Sequence, residues 1–354
     1  MVNHMSLPPQ FTAMAISHPG GPDVLTPADL PLVAPGPGDV LIRVAAAGVN
    51  APDLAQRRGI YPPPVGASPL PGLEVAGDVV AIGPGVTRLA EGDAVMALTN
   101  GGGYAEFVTV PESQALLMPQ GLSYAEAASL PETAFTITQA LVMRAGLMPG
   151  MNVLIHGAAG GIGGMAILMS RLFGARPLAV VSTTEKADYA RHLGAEAVIR
   201  HDAEDFVARA LELTNGQGAD RIVDIVGGDT LNRNIHAAAR FGHIVLLSTP
   251  GGGTAPIEAS RLMMKQLTLS GSTLRPQSPE IKARIAEVVA DTLLPAIAAR
   301  HVNLPRLTLF ALRHAAEAHR TLEDRAHYGK IVLLTPYGQS VSRPPVIGRT
   351  MAVE

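Results

Sequence analysis

The strongest constraint on the fold is a regular alternation of strand-type and helix-type segments that begins at Met151. The short apolar runs MNVLIH, PLAVV, AVI, RIVDIV and HIVLL are each followed by a stretch of helical character, up to about Leu274. Apolar runs without polar alternation are typical of parallel strands buried on both faces, and the helices between them supply right-handed crossovers. The sequence therefore predicts an α/β fold, with a doubly wound parallel sheet over residues 130–274.

A glycine-rich segment separates the first of these strands from an apolar helix. Its candidate cofactor-binding residues are Ala159, Gly160, Gly161, Ile162 and Gly163. Small residues allow a tight turn and a close approach of a pyrophosphate, whose charge is favoured by the free N–H groups of the helix. Ala158 replaces the first glycine of the usual fingerprint. The flanking strand, helix and βα repeats nevertheless favour a dinucleotide site over an ordinary tight turn.

The end of the second strand indicates which dinucleotide is bound. The run PLAVV is followed by Ser182, nineteen positions beyond Gly163, and Lys186 lies shortly after it. An acidic residue there would bind the ribose hydroxyls of the unphosphorylated cofactor, whereas a hydroxyl and a cation suit a 2′-phosphate. NADPH is therefore the predicted cofactor. The alternative is that Lys186 is only a solvated residue in the first turn of a helix.

The residues before the parallel sheet have a different pattern. Up to residue 129, short strands are separated by clusters of proline and glycine, which predicts an all-β, barrel-like unit. Ser123 and Glu126 have the spacing of a capping box for the helix that leaves this unit. Near the other end, the strand GKIVLL is expected to return to the first unit's sheet. The barrel unit is therefore predicted to be discontinuous, comprising 1–129 and 275–354, and the segment from 336 onward is expected to be disordered or an oligomer arm.

Composition excludes several classes of function. The chain has no cysteine, which removes disulfides, thiolate nucleophiles and zinc sites with sulfur ligands. Its net charge is −3 and its basic residues are dispersed, so no nucleic-acid partner is expected. The start has no secretory-type apolar core, and no apolar stretch approaches the length of a membrane span. A soluble cytoplasmic protein without a membrane partner is expected.

Five segments in order give the chain a recognisable family. The segments AAGVNAPDLAQRRGIYPPP, PLPGLEVAGDVVAIGPGV, EGDAVMAL, GGGYAEFVTVP and HGAAGGIGG resemble the medium-chain dehydrogenase/reductase superfamily, and the resemblance runs from about Met14 to Leu334. Within it, the chain resembles the zinc-free NADPH:quinone oxidoreductases, and most of all the branch that contains the tumour-suppressor-inducible quinone oxidoreductase. The resemblance implies a GroES-like β-barrel catalytic domain beside the Rossmann domain.

The positions that bind metal in zinc-dependent relatives are altered. Asn50 matches the cysteine position and Leu73 the histidine position, so that only Glu74 of the relatives' His-Glu pair remains. An amide and an aliphatic side chain cannot replace thiolate and imidazole on zinc. The relatives' four-cysteine zinc loop is missing as well. No metal site is predicted.

The resemblance places an active site in the cleft between the two domains. The family's catalytic positions correspond to Asn50, Asp53 and Tyr61. Asn50 is expected to donate its amide to an acceptor oxygen, and Tyr61 to stack on or hydrogen-bond a flat acceptor. Asp53 is expected to order the loop rather than to titrate. Hydrogen bonds that merely fix the loop are the alternative interpretation of Asn50 and Tyr61.

Further cofactor contacts follow from the same resemblance. Thr136 matches the family's threonine near the nicotinamide, where it would orient the carboxamide. Arg325 occupies the position from which some relatives reach the 2′-phosphate, and His201 stands where they carry a tyrosine. Ser248 begins the run STPGGG after a predicted strand, and loops at such strand ends line the cofactor crevice in this fold.

These features predict an NADPH-dependent, metal-independent quinone reductase that transfers hydride and completes the step with a solvent proton. Two alternatives remain open. One is an enone or enoyl reductase that uses the same donors, and the other is an NADPH-binding, redox-sensing protein with negligible turnover. By resemblance, a homodimer is expected, formed by extending the sheet through the edge strand near Leu267 to Ser270.

Overall fold

In this computed structural model, the described residues are 7–325, 327–341 and 350–351. They divide into two compact units. The barrel unit contains the described residues up to Glu132, residues 278–286 and the described residues from Arg306 onward, and the cofactor unit contains 133–277 and 287–305. The sequence predicted that all of 275–354 belongs to the barrel unit, but the structure assigns 287–305 to the other unit. The change occurs inside one continuous helix, where no proline or glycine cluster marks it.

The barrel unit is built on strands that the prolines and glycines of the sequence separate. They are β1 (Gln10–Ile16), β2 (Leu25–Pro31), β3 (Asp39–Val49), β4 (Glu74–Ile82), β5 (Ala94–Leu98), β6 (Phe107–Pro111) and β7 (Ala115–Leu117), followed late in the chain by β14 (Leu307–Ala311), β15 (Lys330–Leu334) and β16 (Thr350–Met351). The main sheet has the order β16-β14-β15-β3-β4-β5-β7, with β6 paired to β3, and β1 and β2 form a separate hairpin. Strand β15 runs antiparallel to β3, with Ile331 opposite Val49. The predicted return of GKIVLL to this sheet is confirmed.

Short helices close the barrel unit. They are α1 (Ala51–Arg57), α2 (Tyr124–Ala127), α10 (Ala315–Glu323) and α11 (Pro336–Val341). Ser123 is the N-cap of α2 and forms the expected capping box with Glu126. The core beneath the sheet contains alternate residues of β3 and β4, such as Ile42, Val44 and Val75. In the final segment, 336–341 is helical, and residues 342–349 and 352–354, to which the prediction of disorder or an oligomer arm also applied, lie outside the described residues.

The cofactor unit has the doubly wound architecture that the alternation predicts. Its strands are β8 (Asn152–His156), β9 (Arg176–Val181), β10 (Ala197–Arg200), β11 (Ala219–Asp224), β12 (Ala238–Leu246) and β13 (Thr268–Gly271). All their pairings are parallel, in the order β10-β9-β8-β11-β12-β13. The strand order reverses between β8 and β11, which is where this fold binds dinucleotides.

Helices connect these strands. They are α4 (Gly161–Leu172), α5 (Thr184–His192), α6 (Phe206–Leu213), α7 (Thr230–Ala237) and α8 (Ala259–Met264). Two more helices, α3 (Pro131–Ile137) and α9 (Pro279–Ala298), contribute residues to both units. After α3, the chain continues as a π-helical segment, Thr138–Arg144. Within the described part of the chain, none of the helices combines the length and apolar character needed to cross a bilayer.

Candidate functional site

The glycine-rich turn after β8 has the geometry of a phosphate-binding loop. Helix α4 begins directly after its N-cap residue, Gly160, which has no side chain to accept a hydrogen bond from the first turn. A Cβ atom on Gly160 would meet nothing closer than the Gly157 carbonyl oxygen at 3.5 Å. The first N–H groups of a twelve-residue helix therefore have no side-chain cap, and the side chain that could crowd an approaching anion is missing.

Two glycines of the loop are required by its close packing. Gly157 adopts φ +60°, a left-handed conformation that makes the tight turn after β8. A Cβ atom on Gly163 would lie only 2.4 Å from the Gly157 carbonyl oxygen, so Gly163 allows the helix to approach the strand. Ala158, at the first position of the fingerprint, is buried. The structure shows that Gly157, one residue earlier, makes the turn, a residue that counting from the fingerprint missed.

Cationic side chains lie at the ends of the next two strands. Lys186 Nζ is 3.5 Å from Ser182 Oγ, so the structure brings this predicted pair together. Arg200, the last residue of β10, donates to Thr184 Oγ1 at 3.0 Å and also pairs with Asp202. Arg200 was missed because its position beside α5 depends on strand order rather than on sequence spacing. These residues supply two cations and two hydroxyls, with the Asp202 carboxylate paired to Arg200. Cations and hydroxyls are groups that bind a phosphate monoester, and Arg200 would have to exchange its pairing with Asp202 to do so.

A buried polar network lies beside the phosphate loop. His156 is the last residue of β8, and its Nε2 atom lies 2.7 Å from Asn234 Oδ1. Asn234 Nδ2 in turn donates to Asp224 Oδ2 at 2.9 Å. Asp224 also accepts from the N–H groups of Val226 and Gly227. Burial lowers the pKa of His156, which favours its neutral form. The network joins the ends of β8 and β11 on either side of the switch point.

Thr136, the predicted nicotinamide contact, lies just before a π-helical segment. Thr136 is half-buried near the end of α3, and the π-helical segment follows at once. Within the described chain, Thr138 Oγ1 and Gln139 Oε1 of that segment are buried without a hydrogen-bond partner. Buried polar atoms normally have partners, and π-helical turns are frequent at functional sites. The segment is therefore a candidate ligand contact that the sequence did not indicate.

The other predicted cofactor residues lie on separate elements of the fold. His201 is exposed, and its N–H donates to the Val181 carbonyl oxygen at 3.0 Å. Ser248 is exposed, just beyond the end of β12. Arg325 is exposed, belongs to the barrel unit and adopts φ +53°. The proposed phosphate contacts of Arg325 and His201 remain predictions.

In the barrel unit, Asn50 and Asp53 are connected through the start of α1. Asn50 is the N-cap of that helix, and its N–H donates to Asp53 Oδ2 at 2.9 Å. Asp53 Oδ1 accepts from the Gly72 N–H at 2.8 Å. Burial raises the pKa of Asp53 to about 6. The Asp53 carboxyl group therefore holds two backbone segments together, which is the loop-ordering role expected for it.

The Asn50 side chain is fixed by a buried ion pair. Asn50 Nδ2 donates to Glu74 Oε1 at 2.8 Å, and Asn50 Oδ1 accepts from Lys330 Nζ at 2.7 Å. Lys330 and Glu74 are themselves paired at 2.5 Å, with 3% and 0% of their side chains exposed. An Asn amide carries two N–H bonds, so one Nδ2 hydrogen is left without a partner among the described residues. Lys330, at the start of the late strand β15, was not identified from the sequence.

A third carboxyl group adjoins this arrangement. The Glu132 N–H donates to Glu74 Oε2 at 2.9 Å, so both oxygens of Glu74 are used. Burial raises the pKa of Glu132 to about 8. Leu73, at the histidine position of the zinc-dependent relatives, is buried and apolar. Over the described residues, no group of three potential metal-ligating side chains is found.

Tyr61 lies after α1, in a bend that precedes three prolines. It is half-buried, and its N–H approaches the Ala55 carbonyl oxygen at 3.3 Å. Both Tyr61 and Asn50 thus flank the same short helix. The contact of Tyr61 with an acceptor remains a prediction.

The ion pair generates a stability prediction. We expect Lys330→Met to lower the free energy of unfolding by about 3–5 kcal/mol, because it leaves the buried Glu74 carboxylate without a cation. Arg191→Met is the matched control, since Arg191 and Asp188 also pair, at 2.7 Å, but with 59% and 69% of their side chains exposed. Its loss should stay below about 1 kcal/mol. Denaturant unfolding measures both, and equal losses would contradict the structural importance of Lys330.

Comparisons with known proteins agree with both units. Residues 36–120 match the family described as "Alcohol dehydrogenase GroES-like domain", and residues 161–290 match the one described as "Zinc-binding dehydrogenase". A quinone oxidoreductase of Pseudomonas aeruginosa is 33% identical over 317 residues, covering 89% of this chain and 97% of that protein. A 2-haloacrylate reductase of Burkholderia is 33% identical over 331 residues, covering 91% and 98% of the two chains.

Solved structures give the same result. A quinone oxidoreductase from Pseudomonas syringae superposes with a TM-score of 0.81 at 31% identity, covering 92% of this chain and 99% of that one. The Escherichia coli quinone oxidoreductase, solved in complex with NADPH, has a TM-score of 0.79 at 28% identity, with 91% and 99% covered. The fold, the altered metal positions and these similarities lead to one conclusion. The chain belongs to the medium-chain dehydrogenase/reductase superfamily, as a member of its zinc-free quinone oxidoreductase family.

Proposed function

We propose that the protein is an NADPH-dependent, metal-independent reductase of quinones. The observation that carries this proposal is the Asn50 amide, which Glu74 and Lys330 fix from two sides while one Nδ2 hydrogen stays available. A preorganised donor stabilises an oxygen that gains negative charge when hydride reaches the acceptor. Tyr61 contributes a flat, partly apolar surface for the acceptor ring, and Asp53 keeps the loop in place.

NADPH fits the residues of the cofactor unit. The uncapped start of α4 and the loop from Ala159 to Gly163 would hold the pyrophosphate, and Ser182, Lys186 and Arg200 would hold the 2′-phosphate. Thr136 and Ser248 would contact the nicotinamide half. The bound cofactor supplies the hydride, so the protein needs no nucleophile of its own. The E. coli relative solved with NADPH and a mycobacterial relative solved with the same cofactor at 32% identity support this assignment.

Reduction of a conjugated double bond is the second candidate. The Burkholderia relative is named a 2-haloacrylate reductase, and its similarity to this chain is as high as that of the Pseudomonas aeruginosa quinone oxidoreductase. The Asn50 amide can bind an enolate oxygen as well as a quinone oxygen, because both gain charge in the same way. Only the acceptor distinguishes the two reactions.

The acceptor is tested by following the loss of reduced-nicotinamide absorbance with ortho-quinones, para-quinones and an enone, with and without a chelator. We expect quinone-dependent oxidation that resists the chelator, and a kcat about 10²–10³-fold lower in Asn50→Ala, which removes the fixed donor. Asn303→Ala, at an exposed amide of the cofactor unit, is the control and should keep wild-type activity. Turnover of enones alone would establish the second candidate, tight NADPH binding without turnover would favour a redox-sensing protein, and loss of activity with the chelator would refute metal independence.

Cofactor choice has its own prediction. Lys186→Ala and Arg200→Ala should each raise the KM for NADPH about tenfold or more, because each removes a charge-assisted contact to the 2′-phosphate. The KM for NADH, which lacks that phosphate, should change little. Arg209→Ala is the control, since Arg209 lies on α6 and pairs with Glu212 at 2.6 Å. Equal losses with both cofactors would contradict the assignment of the phosphate site.

A homodimer formed through β13 is also proposed. This strand lies at the edge of the parallel sheet, and nearby apolar side chains are exposed, namely Leu269, Met263, Met264 and Phe241. An exposed strand edge with apolar neighbours readily pairs with another strand. Light scattering should give a dimer for the wild type and a monomer for Leu269→Lys, while Met148→Lys, at another exposed methionine, should stay dimeric. A monomeric wild type would refute the proposal.

A further inference from the structure

A second acidic residue, Glu132, has its backbone fixed beside the Asn50 amide. Glu132 lies in the first turn of α3, and its N–H donates to Glu74 Oε2 at 2.9 Å. The other oxygen of Glu74 accepts from Asn50 Nδ2 at 2.8 Å. Glu132 and the Asn50 amide are therefore attached to the two oxygens of one buried carboxylate. The backbone of Glu132 is thereby held beside the Asn50 amide, and its carboxyl group lies near enough to Glu74 and Asp53 for their charges to raise its pKa.

The Glu132 carboxyl group makes no use of its hydrogen-bonding capacity within the described chain. It forms no side-chain hydrogen bond or ion pair there, although the residue is only 8% exposed. Glu126, exposed to the same 8%, accepts hydrogen bonds from the Ser123 N–H and hydroxyl. Buried carboxyl groups generally have partners. A group that lacks one, and that retains some contact with solvent, can exchange its proton.

Burial, and to a smaller extent the neighbouring carboxylates, raise the pKa of Glu132. Burial is the main cause of the raised pKa of about 8, and the carboxylates of Glu74 and Asp53 raise it further. The ammonium groups of Lys330 and Lys282 act in the opposite direction. Lys282 is itself buried, and its Nζ donates to Asn100 Oδ1 at 3.0 Å. The cluster therefore contains three carboxyl groups against two cations, and the pKa of Glu132 is raised to about 8 within it.

A purely structural role explains these observations less well. An acidic residue in the first turn of a helix stabilises the helix dipole, but only when it is ionised. Because the pKa of Glu132 is raised to about 8, its carboxyl group is largely protonated near pH 7 and contributes little to this stabilisation. Burial of an unpaired polar group costs free energy without a structural return. Groups with such perturbed environments are concentrated at functional sites.

We propose that Glu132 is the proton donor of the reductase reaction, a role that rests on the proposed function. The acceptor gains a hydride, which is one hydrogen with two electrons, and its oxygen becomes negative. The O–H bond of Glu132 breaks as an O–H bond forms on that oxygen, and the resulting carboxylate takes a proton from solvent. Each turnover thus consumes one reduced nicotinamide and one solvent proton, and gives the reduced acceptor and the oxidised cofactor.

The test compares the wild type with Glu132→Gln, which keeps the size and the neutral state of the side chain and is therefore expected to fold. Its kcat with a quinone should fall about 10²–10⁴-fold, with little change in KM, because a general acid acts in the transition state. The wild-type kcat should decline as the pH rises through about 8, where Glu132 loses its proton, and the variant should lack this decline. Infrared difference spectra of the free proteins should show a protonated carboxyl band near neutral pH that Glu132→Gln lacks.

Two further variants complete the design. Glu126→Gln removes an equally buried carboxyl group of the same unit and should keep the wild-type rate and pH profile. Glu132→Asp keeps a carboxyl group, so it should retain the decline of kcat at alkaline pH. If circular dichroism shows that Glu132→Gln is unfolded, the pH profile of Glu132→Asp becomes the test, and the absence of an alkaline decline in that variant would overturn the role of Glu132. A Glu132→Gln variant with a near-wild-type rate, or with an unchanged alkaline decline, would overturn the role of Glu132 alone. A wild type that reduces neither quinones nor enones would instead overturn the proposed function, and the proton-donor role with it.

Discussion

The arrangement of the barrel unit depends on the buried pair between Glu74 and Lys330. These residues begin β4 and β15, the two strands that flank β3 in the sheet. On the middle strand, a Cβ atom at Gly48 would lie 2.0 Å from Glu74 Oε1, so only glycine allows the carboxylate to occupy this place. Charges this deeply buried are tolerated only when they are paired and hydrogen-bonded. The pair therefore fixes the register of three strands and the orientation of Asn50 together.

Under the proposed function, the same pair would take over part of the role that a metal ion has in zinc-dependent relatives. In zinc-dependent relatives, a cation bound by thiolate and imidazole polarises the substrate oxygen. Here Lys330 supplies a positive charge to the Asn50 carbonyl oxygen, and the amide has its other end available for a ligand. An amide is a weaker electrophile than a metal ion, but a quinone needs less activation than an alcohol, because hydride transfer to it is favourable. The cluster is therefore better matched to the proposed reduction of an activated acceptor than to oxidation of an alkoxide.

Much of the fold could be predicted from the sequence, because it is encoded locally. The apolar runs after Met151 and the capping box at Ser123 follow rules that involve neighbouring residues, and the structure confirms both. Gly157 was missed because it precedes the fingerprint spacing, and only its φ of +60° identifies it as the residue that turns. Lys330 and Arg200 could not be found by spacing. Lys330 lies 280 residues from Asn50, and Arg200 reaches Thr184 only because β9 and β10 are adjacent.

In both units, a buried polar network connects strand ends to the residues of the proposed site. In the cofactor unit, the His156, Asn234 and Asp224 network joins β8 to β11, so the phosphate loop starts from a strand end that cannot shift independently. In the barrel unit, the Glu74 carboxylate joins β4 to α1 and α3. In each case, a buried polar group forms its hydrogen bonds with residues at or beside the proposed site, so loosening the core would also displace that site. Because a donor that must meet developing charge loses its effect when it is displaced by about 1 Å, this coupling gives the buried charged side chains a positioning role that apolar packing could not supply.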